Sequence, residues 1–117
     1  MENEKVYQMS FAKIYPLLVN KAVRKGRTQE DVDQVIGWLT GYSRETIAEL
    51  AESAITYREF FEQAPQMNEN RKLIKGKICR ISVELIEEPL MQEIRYLDKL
   101  VDELAKGKAM EKILREQ

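Results

Sequence analysis

Leu90, Ile94, Leu97, Val101 and Leu104 step along the chain by four, three, four and three residues. That spacing gathers them onto one side of an α-helix and nowhere else. Met91 and Leu100 widen the apolar face. Pro89 stands where a helix tolerates proline, in its first turn, and Gly107 stands where helices commonly stop. The segment between them is the predicted anchor of the fold, and the rest of the chain has to cover its apolar side. The stepping also matches a heptad seam, but it lasts only about two heptads, fewer than the three or four that specify a coiled coil. Burial in the chain's own core is therefore the simpler fate, with a seam against a second copy as the alternative.

Shorter helices precede it. Phe11, Ile14, Leu18 and Ala22 share a helical face over 10–25, and Gly26 ends that run. Pro16 removes an interior hydrogen bond, which predicts either a bend there or a helix that begins with Pro16 in its first turn. Thr28 is a predicted N-cap, followed by Glu30 and Asp31 where the helix dipole favours negative charge. Val32, Val35, Ile36 and Leu39 form the buried stripe of that helix, beside Trp38, and Gly41 ends it. Ser43 caps a helix carrying Ile47 and Leu50, and Thr56 with Glu59 forms a capping box. Behind that box Tyr57, Phe60, Phe61 and Ala64 share one face, and Pro65 closes the element. Ala109, Met110, Ile113 and Leu114 predict a final helical segment.

The stretch 73–86 satisfies two periods. Cys79, Ile81, Val83 and Leu85 alternate as in a half-buried strand, whereas Ile74, Ile78, Ile81 and Leu85 form a helical stripe. No second β-rich run offers a partner, and unpaired backbone groups are costly, so helix is the favoured reading. The predicted architecture is a single all-α domain over 1–117, a compact bundle of five or six helices.

Hydrophobic residues make up 44% of the 117, enough for one core, and charged residues make up 33%. Nineteen basic residues face twenty acidic ones, so no global field draws in nucleic acid or an anionic membrane. The charged start, Met1-Glu2-Asn3-Glu4-Lys5, is unlike a secretory signal, and no run approaches the ~20 apolar residues of a membrane span. One cysteine, Cys79, allows no intrachain disulfide, and the absence of histidine removes zinc clusters and histidine-dependent catalysis. A reducing, cytoplasmic setting is expected, with no cofactor and with Cys79 as a buried structural thiol.

Three constellations carry the functional expectations. Gly41-Tyr42-Ser43-Arg44-Glu45-Thr46-Ile47, after Gly37, has the spacing of a helix-turn-helix corner. Its electrostatics oppose DNA: Glu45, Glu49 and Glu52 accompany the single basic residue Arg44. Lys21, Arg24, Lys25 and Arg27 form one basic cluster, suited to the negative end of a helix dipole. Arg71, Lys72 and Lys75, with Lys77 and Arg80, form another. Folded together, the two would make an anion or nucleic-acid patch. Glu84, Glu87 and Glu88 offer paired carboxylates, which most simply face water, and Lys106-Gly107-Lys108 lacks the spacing of a phosphate-binding loop.

The chain resembles a family of uncharacterised bacterial proteins, domain of unknown function 2200. The likeness is carried by Tyr7-Gln8-Met9-Ser10-Phe11, Arg24-Lys25-Gly26-Arg27-Thr28, Trp38-Leu39-Thr40-Gly41-Tyr42, Phe60-Phe61-Glu62-Gln63-Ala64-Pro65 and Glu88-Pro89-Leu90-Met91 with the helix after it. Arg80 stands where that family carries glycine after Cys79. The resemblance implies a compact bacterial cytoplasmic protein and brings no established activity or site residues.

The leading expectation is a non-enzymatic interaction module, self-associating through Leu90, Ile94, Leu97, Val101 and Leu104 or through the aromatic helix with Phe60 and Phe61. One alternative is a nucleic-acid-binding regulator that uses the 32–50 corner with the basic clusters. Another is an enzyme or ligand-binding protein with a pocket holding Trp38, Tyr96 or the acidic residues near Glu84.

Overall fold

A computed structural model describes residues 2–78 and 80–116. The expected burial of Cys79 falls outside the described residues. In chain order the elements are α1 (Glu2–Gln8), α2 (Phe11–Val23), α3 (Gln29–Thr40), α4 (Arg44–Leu50) and α5 (Tyr57–Glu62). A 3-10 turn over Glu69–Leu73 leads to strands β1 (Lys77–Ile78) and β2 (Ile81–Ser82). A second 3-10 turn, Val83–Leu85, precedes α6 (Pro89–Ala105) and α7 (Met110–Ile113). The all-helical expectation holds, with a two-stranded hairpin and an isolated antiparallel bridge between Ser10 and Thr56 as its β features among the described residues.

α6 is the central element. It packs most extensively against α2 and α3, and also touches α5, α7, β1 and the second 3-10 turn. Leu97, Leu100, Val101 and Leu104 are completely buried. At roughly 1.5–3 kcal/mol for each large apolar side chain withdrawn from water, this one stripe is a principal source of stability.

The predicted caps organise the helices around it. Thr28 accepts from Asp31 N while the Asp31 carboxylate accepts from Thr28 N, and Thr56 and Glu59 form the same reciprocal box. Gly41 holds a left-handed φ of 85°, and a β-carbon there would lie 3.0 Å from the Gln66 backbone. Phe11 stacks on Phe60 with ring centroids 4.2 Å apart, and Phe61 meets Phe60 edge-on at 5.2 Å. Tyr42 Oη donates to the Phe60 carbonyl at 2.7 Å.

One expectation is narrowed and another is overturned. α2 does not begin at Pro16, one of the two outcomes expected there: it starts at Phe11 and runs through the proline. Its start is pinned from outside, because Phe11 N donates to Ile55 O at 2.9 Å and Tyr57 N donates to Met9 O at 2.8 Å. These bonds, with the buried Phe11, outweigh the one hydrogen bond that Pro16 omits. The segment 73–86 is not a helix either. Lys77 pairs with Ser82 and Ile78 with Ile81, so the strand finds its partner in its own continuation. Gly76, at φ 111°, breaks any helix, and its carbonyl accepts from Val83 N at 2.9 Å. Ile74, Ile78 and Val83 are buried while Ile81 and Leu85 are exposed, so the burial follows neither simple period.

α1 was not anticipated. It is latched to the start of α6: Tyr7 Oη donates to Glu88 Oε2 at 2.5 Å and Asn3 Nδ2 donates to Glu88 Oε1 at 2.9 Å. Arg58 pairs with Glu4 at 3.1 Å and lies 4.9 Å over the Tyr7 ring.

Candidate functional site

The residues expected at a partner seam are spent inside the chain. Phe60, Leu97, Val101 and Leu104 have no exposure, Ile94 and Phe61 are buried, and Leu90 is half-buried against the same core.

The two basic clusters do not meet. Arg71 is clamped by Glu93 at 2.9 and 3.1 Å and donates to Asn68 O, Lys21 pairs with Asp102 at 3.3 Å, and both carboxylates belong to α6. Nine residues at about 100° each place Glu93 and Asp102 on opposite sides of that helix, roughly 13 Å apart along its axis. Lys72 reaches Glu69 at 3.9 Å, and Lys75 is exposed beside the hairpin. Arg27 works as a cap, donating to the carbonyls of Leu104 at 3.3 Å, in the last turn of α6, and of Lys108 at 2.9 Å, just after it.

What remains of the first cluster lines a groove of about 660 Å³ between α2 and the end of α6. Leu17, Asn20, Lys21, Arg24 and Lys25 come from α2 and the residues just after it, and Asp102, Ala105 and Lys106 form the other wall. Leu17 is 62% exposed, the second-largest exposure of any large apolar side chain described. Asp102 bridges Lys21 and Lys106, the latter at 3.1 Å. Burial alone would push the Asp102 carboxyl up, but the two ammonium groups outweigh it and hold it below the usual aspartate range. The side chains of Arg24 and Lys25 make no ion pair or hydrogen bond with any described residue. Four cations against one carboxylate leave the groove electropositive.

Asp102, Ala105, Lys106 and Leu17 escaped the reading of the sequence. A signal existed: Leu17, Lys21 and Arg24 recur at helical spacing along the flank of the face that carries Phe11, Ile14 and Leu18. The opposite wall lies some eighty residues away in sequence, and nothing local announces it.

The 32–50 corner forms as a tight helical turn. A β-carbon on Gly37 would sit 3.1 Å from the Tyr42 carbonyl, so small size is needed where α3 meets the turn. Arg44 is drawn aside by Glu30 at 3.6 Å and Asp33 at 3.9 Å. The outward stripe of α4 and its following turn is Glu45, Ala48, Glu49 and Glu52, all exposed. None of these glutamates has an ion-pair partner among the described residues. That face repels a phosphate backbone.

Tyr15 Oη donates to the buried Asp33 at 2.5 Å and accepts from Gln29 Nε2 at 2.9 Å, closing α2 onto α3. Burial, then the bonds to carboxylates, push both Tyr15 and Tyr7 up to about 12, so each phenol keeps its proton at neutral pH. Trp38 lines a shallow depression with Gly41, Gln66, Asn68 and Glu69, and neither Tyr96 nor Glu84 reaches it. Among the described residues no group of His, Cys, Asp and Glu has the arrangement of a metal site, and no helix is long and apolar enough to cross a membrane.

The crystal structure of uncharacterized protein SP1917 superposes with a TM-score of 0.91 at 46% sequence identity, covering 97% of each chain. No curated protein matches the chain. The profile of one family matches residues 5–115, and its description is an uncharacterized protein conserved in bacteria, DUF2200. On that match, which spans nearly its full length, the chain belongs to the DUF2200 family.

Proposed function

We propose that the protein is a non-catalytic interaction module whose working surface is the α2–α6 groove, and that the groove takes an acidic, partly apolar segment of a protein. The observation that carries this reading is the pairing of exposed Leu17 with the unpartnered cations Arg24 and Lys25 on one open groove. An exposed aliphatic among free cations offers an acidic amphipathic segment both an anchor and charge partners. The openness favours a protein segment over a small molecule. Drug-sized ligands are held where most of their surface is buried, whereas Leu17 is 62% exposed and the Lys106 side chain 71%. The acidic stripe on α4 speaks against duplex DNA as the ligand. The reading places the protein in the cytoplasm, where a lone cysteine stays reduced.

The test is an amide-shift titration with a synthetic helical peptide bearing glutamates around one leucine. Shifts are expected at residues 17–25 and 102–106, and the double variant R24E/K25E is expected to abolish them. Shifts elsewhere, or shifts that survive the double variant, would overturn the proposal.

A further inference from the structure

We infer that the groove's occupant is α4 of a second copy of this chain. The inference rests on the reading of the groove as a site for an acidic segment, and it names that segment. Glu45, Ala48, Glu49 and Glu52 fall at intervals of three, four and seven residues, a single outward stripe of α4 and the turn after it. All four are exposed, and the three carboxylates are unpartnered among the described residues. Across the molecule, Leu17, Lys21, Arg24 and Lys25 fall at four, seven and eight. At 1.5 Å per residue the acidic stripe is about 10 Å long and the basic one about 12 Å, so they match in length as well as in charge.

The chemistry at the centre also matches. Ala48 is the one small apolar residue of the acidic stripe, and it lets a helix approach closely where Leu17 projects from the groove. Arg44, the single cation of α4, is turned toward Glu30 and Asp33 and so stays out of the stripe. Docked together, the carboxylates of Glu45, Glu49 and Glu52 meet the charges of Arg24, Lys25 and Lys106, of which the first two have no ion-pair or hydrogen-bond partner among the described residues of their own chain.

Because the stripe and the groove are different surfaces of one molecule, the contact is head-to-tail. Each bound copy presents a fresh stripe and a fresh groove, which gives an open chain of protomers or a closed ring. Opposed rows of exposed charge are screened by salt, with a Debye length of about 8 Å at physiological ionic strength, so assembly should weaken as salt rises.

Sedimentation velocity on the full chain, with the acidic peptide titrated in parallel, tests the inference. The wild type should exceed monomer mass at about 20 mM salt and return towards monomer at about 500 mM. R24E/K25E, with its stripe intact, and E45K/E49K, with its groove intact, should each be monomeric at low salt. Mixed one to one, they should assemble again, since each supplies the surface the other lacks. R24Q/K25Q guards against a folding defect in the charge-reversed groove and should weaken assembly by about tenfold. Assembly that persists in either charge-reversed variant, or a mixture that stays monomeric, would overturn the inference. A wild type that is monomeric throughout but still binds the peptide at the groove would overturn it and leave the proposed function standing. If neither occurs, both fall.

Discussion

Arg80 holds φ at 69°, a left-handed conformation that costs an L-residue with a β-carbon roughly 1–2 kcal/mol. It lies just before Ile81, in the turn of the hairpin, where a positive φ is common and glycine is free of strain. The glycine that the family resemblance places here thus answers a torsional requirement, and this chain meets it with arginine. Arg80→Gly is expected to stabilise the fold by about 0.5–1 kcal/mol, the relief of strain less the extra freedom of the unfolded chain. A higher urea midpoint checks this, and a lower one refutes it. Glu103 poses the opposite case. It is buried, held by both Arg115 nitrogens at 2.6 and 2.8 Å, with Lys108 at 3.6 Å. Glu103→Ala leaves a guanidinium without its partner and should cost about 3 kcal/mol, read from the same unfolding curves. A change below about 1 kcal/mol would show that Arg115 finds water instead.

At the scale of elements, the latch between α1 and the start of α6 depends on one carboxylate. The hydrogen bond from Tyr7, and then that from Asn3, hold Glu88 below the usual glutamate range. A carboxyl whose folded pKa is depressed adds stability above its unfolded value, ordinarily about 4.3, and loses it as pH falls through the folded value. Amide protection in α1 should therefore fall on acidification across that window, before the core opens. Tyr7→Phe should bring Glu88 back towards its ordinary pKa and speed exchange in α1 at neutral pH. Carboxyl NMR titration with hydrogen exchange measures both, and an unmoved Glu88 would disprove the latch. The hairpin at 77–82 shows why element type was hard to read there. Both periods fitted the apolar residues, and what separated them was Gly76 at φ 111° together with a backbone bond from Val83 to Gly76.

Across the whole molecule, one contiguous cluster of buried side chains draws on every α-helix. With α6 at its centre, the described residues form no second core to unfold separately. Heat should give one transition, coincident by near- and far-ultraviolet circular dichroism. Leu97→Ala, at a position with no exposure, should cost about 3 kcal/mol and lower the midpoint without splitting it. Two resolved transitions would contradict a single core.

The sequence by itself determined what repeats locally: helical apolar stripes, caps at Thr28, Ser43 and Thr56, and stops at Gly26, Gly41 and Gly107. Each is set by contacts within one or two turns, so spacing reveals it. The tertiary structure alone decided which charges remain available. Arg27 was claimed by the end of α6 and Arg71 by Glu93, whereas Arg24 and Lys25 were left open beside Leu17. Those pairings join residues up to 81 positions apart, brought together by the burial of apolar faces and not by any pattern in the charges themselves. Charge spacing along a chain carries no record of the distant carboxylate that neutralises it.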